Sequence, residues 1–117
     1  MEIGGCMNRK YLGTIVDVEV DIRLGEAHPE YPNTIYKVNY GHIPNTVSGD
    51  GEELDAYIFG VDYPVDSFKG KVIAILHRIN DDDDKLIVID GNKNYTDKEI
   101  KETVNFIEQY FESNIIR

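Results

Sequence analysis

Two apolar runs constrain this chain most: Val72-Ile73-Ala74-Ile75-Leu76 and Leu86-Ile87-Val88-Ile89, with four consecutive aspartates, Asp81 to Asp84, between them. Runs this short and this rich in β-branched residues read as buried strands. Four carboxylates make a poor hairpin unless a counterion joins them; a solvated turn is the other reading. Residues 11 to 22 add a half-buried strand, with Val16, Val18 and Val20 on one face and Asp17, Glu19 and Asp21 on the other. Residues 34–40 and 54–59 read as two more strands, joined through an acidic turn, and residues 23–33 as a loop punctuated by Gly and Pro. Only the C-terminal segment has a helical period. Thr96-Asp97-Lys98-Glu99 has the form of a capping box, and Ile100, Val104, Ile107 and Phe111 follow as a buried stripe. Short strands and one late helix predict a mainly β fold with a C-terminal helix (α+β), arranged as a small closed β-barrel.

At 117 residues the chain is expected to form one domain over 11–117, with its helix at about 96–112. Residues 1–10 read as an extension without fixed structure, and Met7 offers an alternative start. The net charge of −10 argues against nucleic acid or an anionic membrane as partner, since both need basic surface, and suits a site that recruits cations. Cys6 is the only cysteine, so no intrachain disulfide forms. No stretch has the length of a membrane span, and the start lacks the regions of a signal peptide. These features point to a cytoplasmic protein.

The densest chemistry lies in residues 36–55. Asp50, Glu52 and Asp55 crowd together with Gly49 and Gly51 among them, and Tyr36 and Tyr40 stand upstream. Acids packed this closely repel one another unless a cation sits among them. Oxygen-only ligands indicate a hard ion, Mg²⁺, Mn²⁺ or Ca²⁺, rather than zinc. The spacing is not that of an EF-hand. A solvated acidic turn is the plain alternative, because Gly, Asp and Ser are ordinary turn residues.

Asn39-Tyr40-Gly41-His42-Ile43 followed by Asp50-Gly51-Glu52-Glu53-Leu54-Asp55 resembles the core signature of the family I soluble inorganic pyrophosphatases. There an Asp-x-Asp-Pro/Glu-apolar-Asp motif follows a Tyr-x-x-Asn-Tyr-Gly segment. The resemblance implies an OB-like closed β-barrel and hydrolysis of pyrophosphate with Mg²⁺ as cofactor, Mn²⁺ being an alternative. It also implies a homo-oligomer. Metal ligands carried over are Asp50, Asp55, Asp83, either Asp81 or Asp82, and Glu19 on the first strand. Glu52 takes the place of the acid that orients and deprotonates the attacking water, and Tyr40, Asp55 and Lys85 join it as catalytic residues. Tyr36, Arg23 and Tyr110 fall to the substrate.

Several positions depart from the pattern. The middle acid is Glu52 rather than aspartate, Asp17 and Phe111 stand where lysines are expected, and a phosphate-binding arginine has only Arg23 as its nearest counterpart. Arg23, Lys37 or Lys71 would have to substitute for the lost donors. Plain readings stay open beside these: a solvated face for Glu19, an exposed turn residue for Arg23, the flank of the helical stripe for Tyr110. Three functions follow. They are a compact inorganic pyrophosphatase, a hydrolase of another, organic phosphoanhydride, and an inactive metal-binding interaction module.

Overall fold

The computed structural model describes residues 6–47, 52–79 and 83–117. The strands are β1 (Ile15–Ile22), β2 (Asn39–Ile43), β3 (Leu54–Phe59), β4 (Ser67–Arg78), β5 (Asp83–Ile89) and β6 (Ser113–Ile116), with one helix, α1 (Asp97–Glu108), between β5 and β6. The order β1-β2-β3-β5-β4 closes through a β1–β4 pairing, so five strands form a ring, and β6 pairs with the end of β4. All pairings are antiparallel except β3 with β5. The expected mainly β fold with a C-terminal helix is what the chain adopts. Among the described residues no helix is long and apolar enough to cross a membrane.

Alternation along the strands sorts side chains to two faces. Val18, Leu54, Ala56, Ile58, Val72, Ile75, Leu86 and Val88 fill the inside of the ring. Tyr57, Phe59, Ala74, Leu76, Ile87 and Ile89 face outward and are covered by Ile100, Val104 and Ile107 of α1. The two apolar runs are therefore continuous because both of their faces are buried. In β1, Val16 and Val18 are buried while Asp17, Glu19 and Asp21, on the face that α1 leaves uncovered, are exposed.

Several local expectations shift. The strand expected at 34–40 lies at Asn39–Ile43, and within 34–38 the ladder is reduced to an isolated bridge between Ala27 and Ile35. Asn39 explains the shift. Its buried side chain accepts from Leu24 N at 2.9 Å and Val65 N at 3.2 Å and donates to Tyr63 O at 3.0 Å, which ties the loops on either side to the start of β2. The capping box at Thr96 and Glu99 is present, but α1 ends at Glu108, so Phe111 lies beyond the helix and is 36% exposed. Glu108 takes the next place on the buried stripe instead. Residues 6–11 wind into a 3₁₀ helix whose Asn8 is buried and donates to Asp84 at 2.6 Å.

Candidate active site

The parallel register of β3 and β5 sets Asp55 opposite Lys85, and the antiparallel register of β2 and β3 sets Tyr40 opposite Tyr57. All four stand on the outer face of the ring, and so does Asp83, two residues before Lys85. The Lys85 ammonium lies 2.7 Å from Asp55 Oδ2, 2.9 Å from Asp83 Oδ2 and 3.0 Å from Tyr40 Oη. Tyr40 in turn donates to the same Asp55 oxygen at 2.7 Å. Burial and the neighbouring Asp55 carboxylate both raise the Tyr40 pKa, which keeps the hydroxyl a donor. Asp84 points to the other face, where it pairs with His77 Nδ1 at 2.7 Å.

A second cluster borders the first. Arg78, paired in register with Asp83, donates from Nε and Nη2 to the two oxygens of Glu108 at 3.0 and 2.6 Å and approaches Asp83 at 3.7 Å. Tyr57 Oη donates to Glu108 Oε2 at 2.6 Å. Burial is the largest single influence on Arg78 and opposes its charge, but its hydrogen bonds to Glu108 and the charge interactions with Glu108, Tyr57 and Tyr40 together outweigh that and raise its pKa. The guanidinium carbon also lies 3.7 Å from the centre of the Phe111 ring. A cleft of about 790 Å³ opens beside these groups, lined by Tyr36, Tyr40, Arg78, Tyr110, Phe111 and the 28–34 loop among others.

The structure brings Tyr40, Asp55, Asp83 and Lys85 into direct contact and sets Tyr36 against them, its ring 5.6 Å from that of Tyr40. Tyr110 lines the cleft and is 70% exposed. Glu19 stands two strands from Asp55, about 10 Å away by strand spacing, and faces His42 Nε2 at 3.5 Å rather than the cluster. Arg23 is not brought to the cleft; its Nε donates to Asp66 Oδ1 at 2.7 Å. Lys37 lines a different groove, and Lys71 lies at the opposite end of β4 from Arg78. Glu52 sits in an exposed bend just before β3. Asp50, Asp81 and Asp82 lie outside the described residues.

Sequence reasoning missed Arg78, Glu108 and His42. Glu108 left a trace, a charged residue four positions after Val104 on an apolar helical stripe. Arg78 left none, because its value comes from β4–β5 register. His42, the variable position in Asn-Tyr-Gly-x-Ile, is ringed by Asp21 at 2.9 Å and by Glu19 and Glu53 at 3.5 Å.

The donors suit a hard cation in type and charge. They are oxygens, and across the two clusters three carboxylates (Asp55, Asp83, Glu108) face two cations (Lys85, Arg78). In number they fall short. Among the described residues no group of three or more His, Cys, Asp or Glu side chains is arranged to hold a metal ion.

Comparison with known proteins places this geometry. Relatives named inorganic pyrophosphatases share the fold: one from Ehrlichia chaffeensis superposes with a TM-score of 0.67 at 18% identity, covering 89% of this chain and 86% of that one. One from Neisseria gonorrhoeae gives 0.62 at 22% identity, covering 84% and 74%. In sequence, the inorganic pyrophosphatase of Picrophilus torridus is 29% identical over 94 residues, 68% of this chain and 53% of its own length. The chain thus spans about half the length of that curated relative. The family model for inorganic pyrophosphatase matches residues 13–115, from before β1 into β6 and across every element that builds the two clusters. By that match the chain belongs to the inorganic pyrophosphatase family.

Proposed function

We propose that this chain hydrolyses a phosphoanhydride, inorganic pyrophosphate in the first instance, with a divalent metal ion, Mg²⁺ or Mn²⁺, as cofactor. The observation that carries the reading is the convergence of Asp55, Asp83, Lys85 and Tyr40 at one point on the outer face. An ammonium has three donor hydrogens, and Lys85 directs its contacts to two carboxylates and one phenol. It turns to a phosphate oxygen only when those carboxylates have another cation to face. That requirement favours metal-assisted chemistry.

Asp55 and Asp83, with Asp50, Asp81 or Asp82 as in the family pattern, would hold the ion. A bound divalent ion lowers the pKa of a coordinated water and offsets charge on the attacking and leaving oxygens. Glu52 is the residue we assign to orient that water and accept its proton. The water oxygen bonds to one phosphorus in line, and the bond from that phosphorus to the bridging oxygen breaks, leaving its electron pair on the departing phosphate. Lys85 and Tyr40 then donate to the oxygens on which charge develops. The single cysteine accords with a cytoplasmic setting, and self-association remains part of the proposal, to be read from sedimentation.

The test is phosphate release from pyrophosphate, with and without Mg²⁺ or Mn²⁺, for the wild type and Asp55→Asn. Metal-dependent release that falls at least about a hundredfold in Asp55→Asn is the expected result. Absence of release at every metal concentration, or undiminished release by the variant, would sink the proposal.

A further inference from the structure

We infer that the cleft beside the acidic cluster receives the ring-bearing half of an organic phosphoanhydride, in chemical class a nucleoside diphosphate, with its terminal phosphate at Asp55, Asp83 and Lys85. The inference rests on the hydrolytic reading for its chemistry and on the cleft for its selectivity. A space of about 790 Å³ falls within the range of pockets that enclose cofactor-sized molecules and far exceeds what two bare phosphates fill.

Part of the lining is a chain of rings that leads from the exposed Tyr31 inward to Tyr40, which joins the cleft to the acids. Tyr31 packs on His28 with ring centres 4.9 Å apart, His28 on Tyr36 at 6.2 Å, and Tyr36 on Tyr40 at 5.6 Å. Tyr40 then donates to Asp55 at 2.7 Å. The outermost ring, Tyr31, is 59% exposed on this wall, which leaves much of it open to a second ring. Phe111 and the Arg78 guanidinium stacked on it line the same cleft.

Charge points the same way. The guanidinium of Arg78 is committed to both oxygens of Glu108, so it adds no net positive field for an incoming anion. A bare, multiply charged pyrophosphate occupying this cleft would exchange water for phenyl and phenol rings with no compensating charge. A heterocycle instead gains stacking on Tyr31 and its neighbours, which is tolerant of base identity. The reaction balances without a further reactant. Water attacks the terminal phosphorus, the bond to the bridging oxygen breaks with its electron pair on the nucleoside monophosphate, and the water's proton is released.

The probes are AMP for binding, by titration calorimetry with Mg²⁺, and ADP and pyrophosphate for turnover. Wild type, Tyr31→Ala and Tyr31→Phe are compared; exposure of Tyr31 keeps its loss from threatening the fold. Expected are AMP binding and an ADP-to-pyrophosphate kcat/KM ratio that each fall about fivefold to a hundredfold in Tyr31→Ala and are retained in Tyr31→Phe. Equal AMP binding by all three proteins, or no AMP binding, with an unmoved or unmeasurable ratio, overturns the inference. If neither compound is hydrolysed but AMP binding follows Tyr31, the ring site stands and the hydrolytic reading fails. If pyrophosphate alone is hydrolysed and AMP does not bind, the reverse holds.

Discussion

Lys85→Met removes one charge from the centre of the candidate site while keeping the length of the side chain, and the structure sets its size. The Lys85 side chain is 4% exposed, and those of Asp83 and Asp55 are 12% and 29% exposed. Breaking a buried ion pair by deleting one partner costs about 3–5 kcal/mol, because the surviving charge is left without compensation. Here two carboxylates survive and face each other across the vacated space, but water reaches Asp55, so the lower part of that range applies: about 3–4 kcal/mol. For a chain of 117 residues, unfolding entropy near 2.1 cal/mol/K per residue converts each kcal/mol into about 4 °C of Tm. The variant should therefore melt about 12–16 °C below wild type in metal-free buffer. The assay is calorimetry in chelator, repeated with increasing Mg²⁺. If a divalent ion shares these carboxylates, Mg²⁺ should stabilise both proteins and narrow the gap by as much as the variant, freed of the competing ammonium, binds it more tightly, about 1.4 kcal/mol for each tenfold difference in affinity. A metal-free gap under about 4 °C, that is about 1 kcal/mol, would refute the premise that Lys85 compensates the two acids.

Three further substitutions test the surroundings. Glu108→Ala leaves the Arg78 guanidinium and the Tyr57 hydroxyl buried without their acceptor, and a loss of about 3–5 kcal/mol is expected in urea unfolding; a loss under about 1 kcal/mol would contradict it. Gly41→Ala places a Cβ 1.9 Å from the backbone oxygen of Glu19, so the β1–β2 ladder must part; loss of cooperative unfolding is the expected outcome, and a wild-type melt would show the strands to be less closely apposed. For His42, the hydrogen bond to Asp21 raises the pKa against the opposing effect of burial. Its stabilising contribution is then complete below the unfolded value of about 6.5 and is lost as pH rises through the folded pKa. The stability gap between wild type and His42→Gln should accordingly be at most about 1 kcal/mol at low pH and close as pH rises; a gap that widens with pH would reverse the sign of the coupling.

What was legible in the sequence was whatever depended on period or on motif. The alternation of Val16 and Val18 against Asp17 and Glu19 defines β1, and the Thr96–Glu99 capping box defines the start of α1. β6 was not legible: Ser113-Asn114-Ile115-Ile116 has no alternation, and it is a strand because the end of β4 offers it a partner from Ile75 to Arg78. The aspartate run shows the same division. Its acidity is plain in the sequence, but its sorting follows from β5 alternation and β4–β5 register. Asp83 faces Arg78 and Lys85 outward, while Asp84 turns to His77 and Asn8. Asp83 and Asp84, the described part of a run that looked short of counterions in the sequence, find partners in Arg78 and His77 at the end of β4, which no local reading would pair with them.

Phe111 carries this reasoning one step further. The resemblance expects a lysine there, and by sequence its replacement is a plain loss of positive charge. In the fold, the Phe111 ring lies 3.7 Å from the guanidinium carbon of Arg78, so a cation is present at that place but arrives from β4. The exchange is not neutral. A lysine there, on its flexible four-carbon stem, would be a point charge able to swing toward a phosphate, whereas Arg78 has its donor fork fixed by Glu108. The site keeps a cation but gives up its freedom to follow an anion, and it gains a flat guanidinium–phenyl surface in exchange. Releasing Arg78 should therefore shift preference toward the more highly charged ligand. Glu108→Gln, which keeps the shape and frees the charge, should raise the pyrophosphate-to-ADP kcat/KM ratio relative to wild type. An unchanged or lowered ratio would mean that the Arg78–Glu108 pair does not govern which phosphoanhydride the cleft accepts.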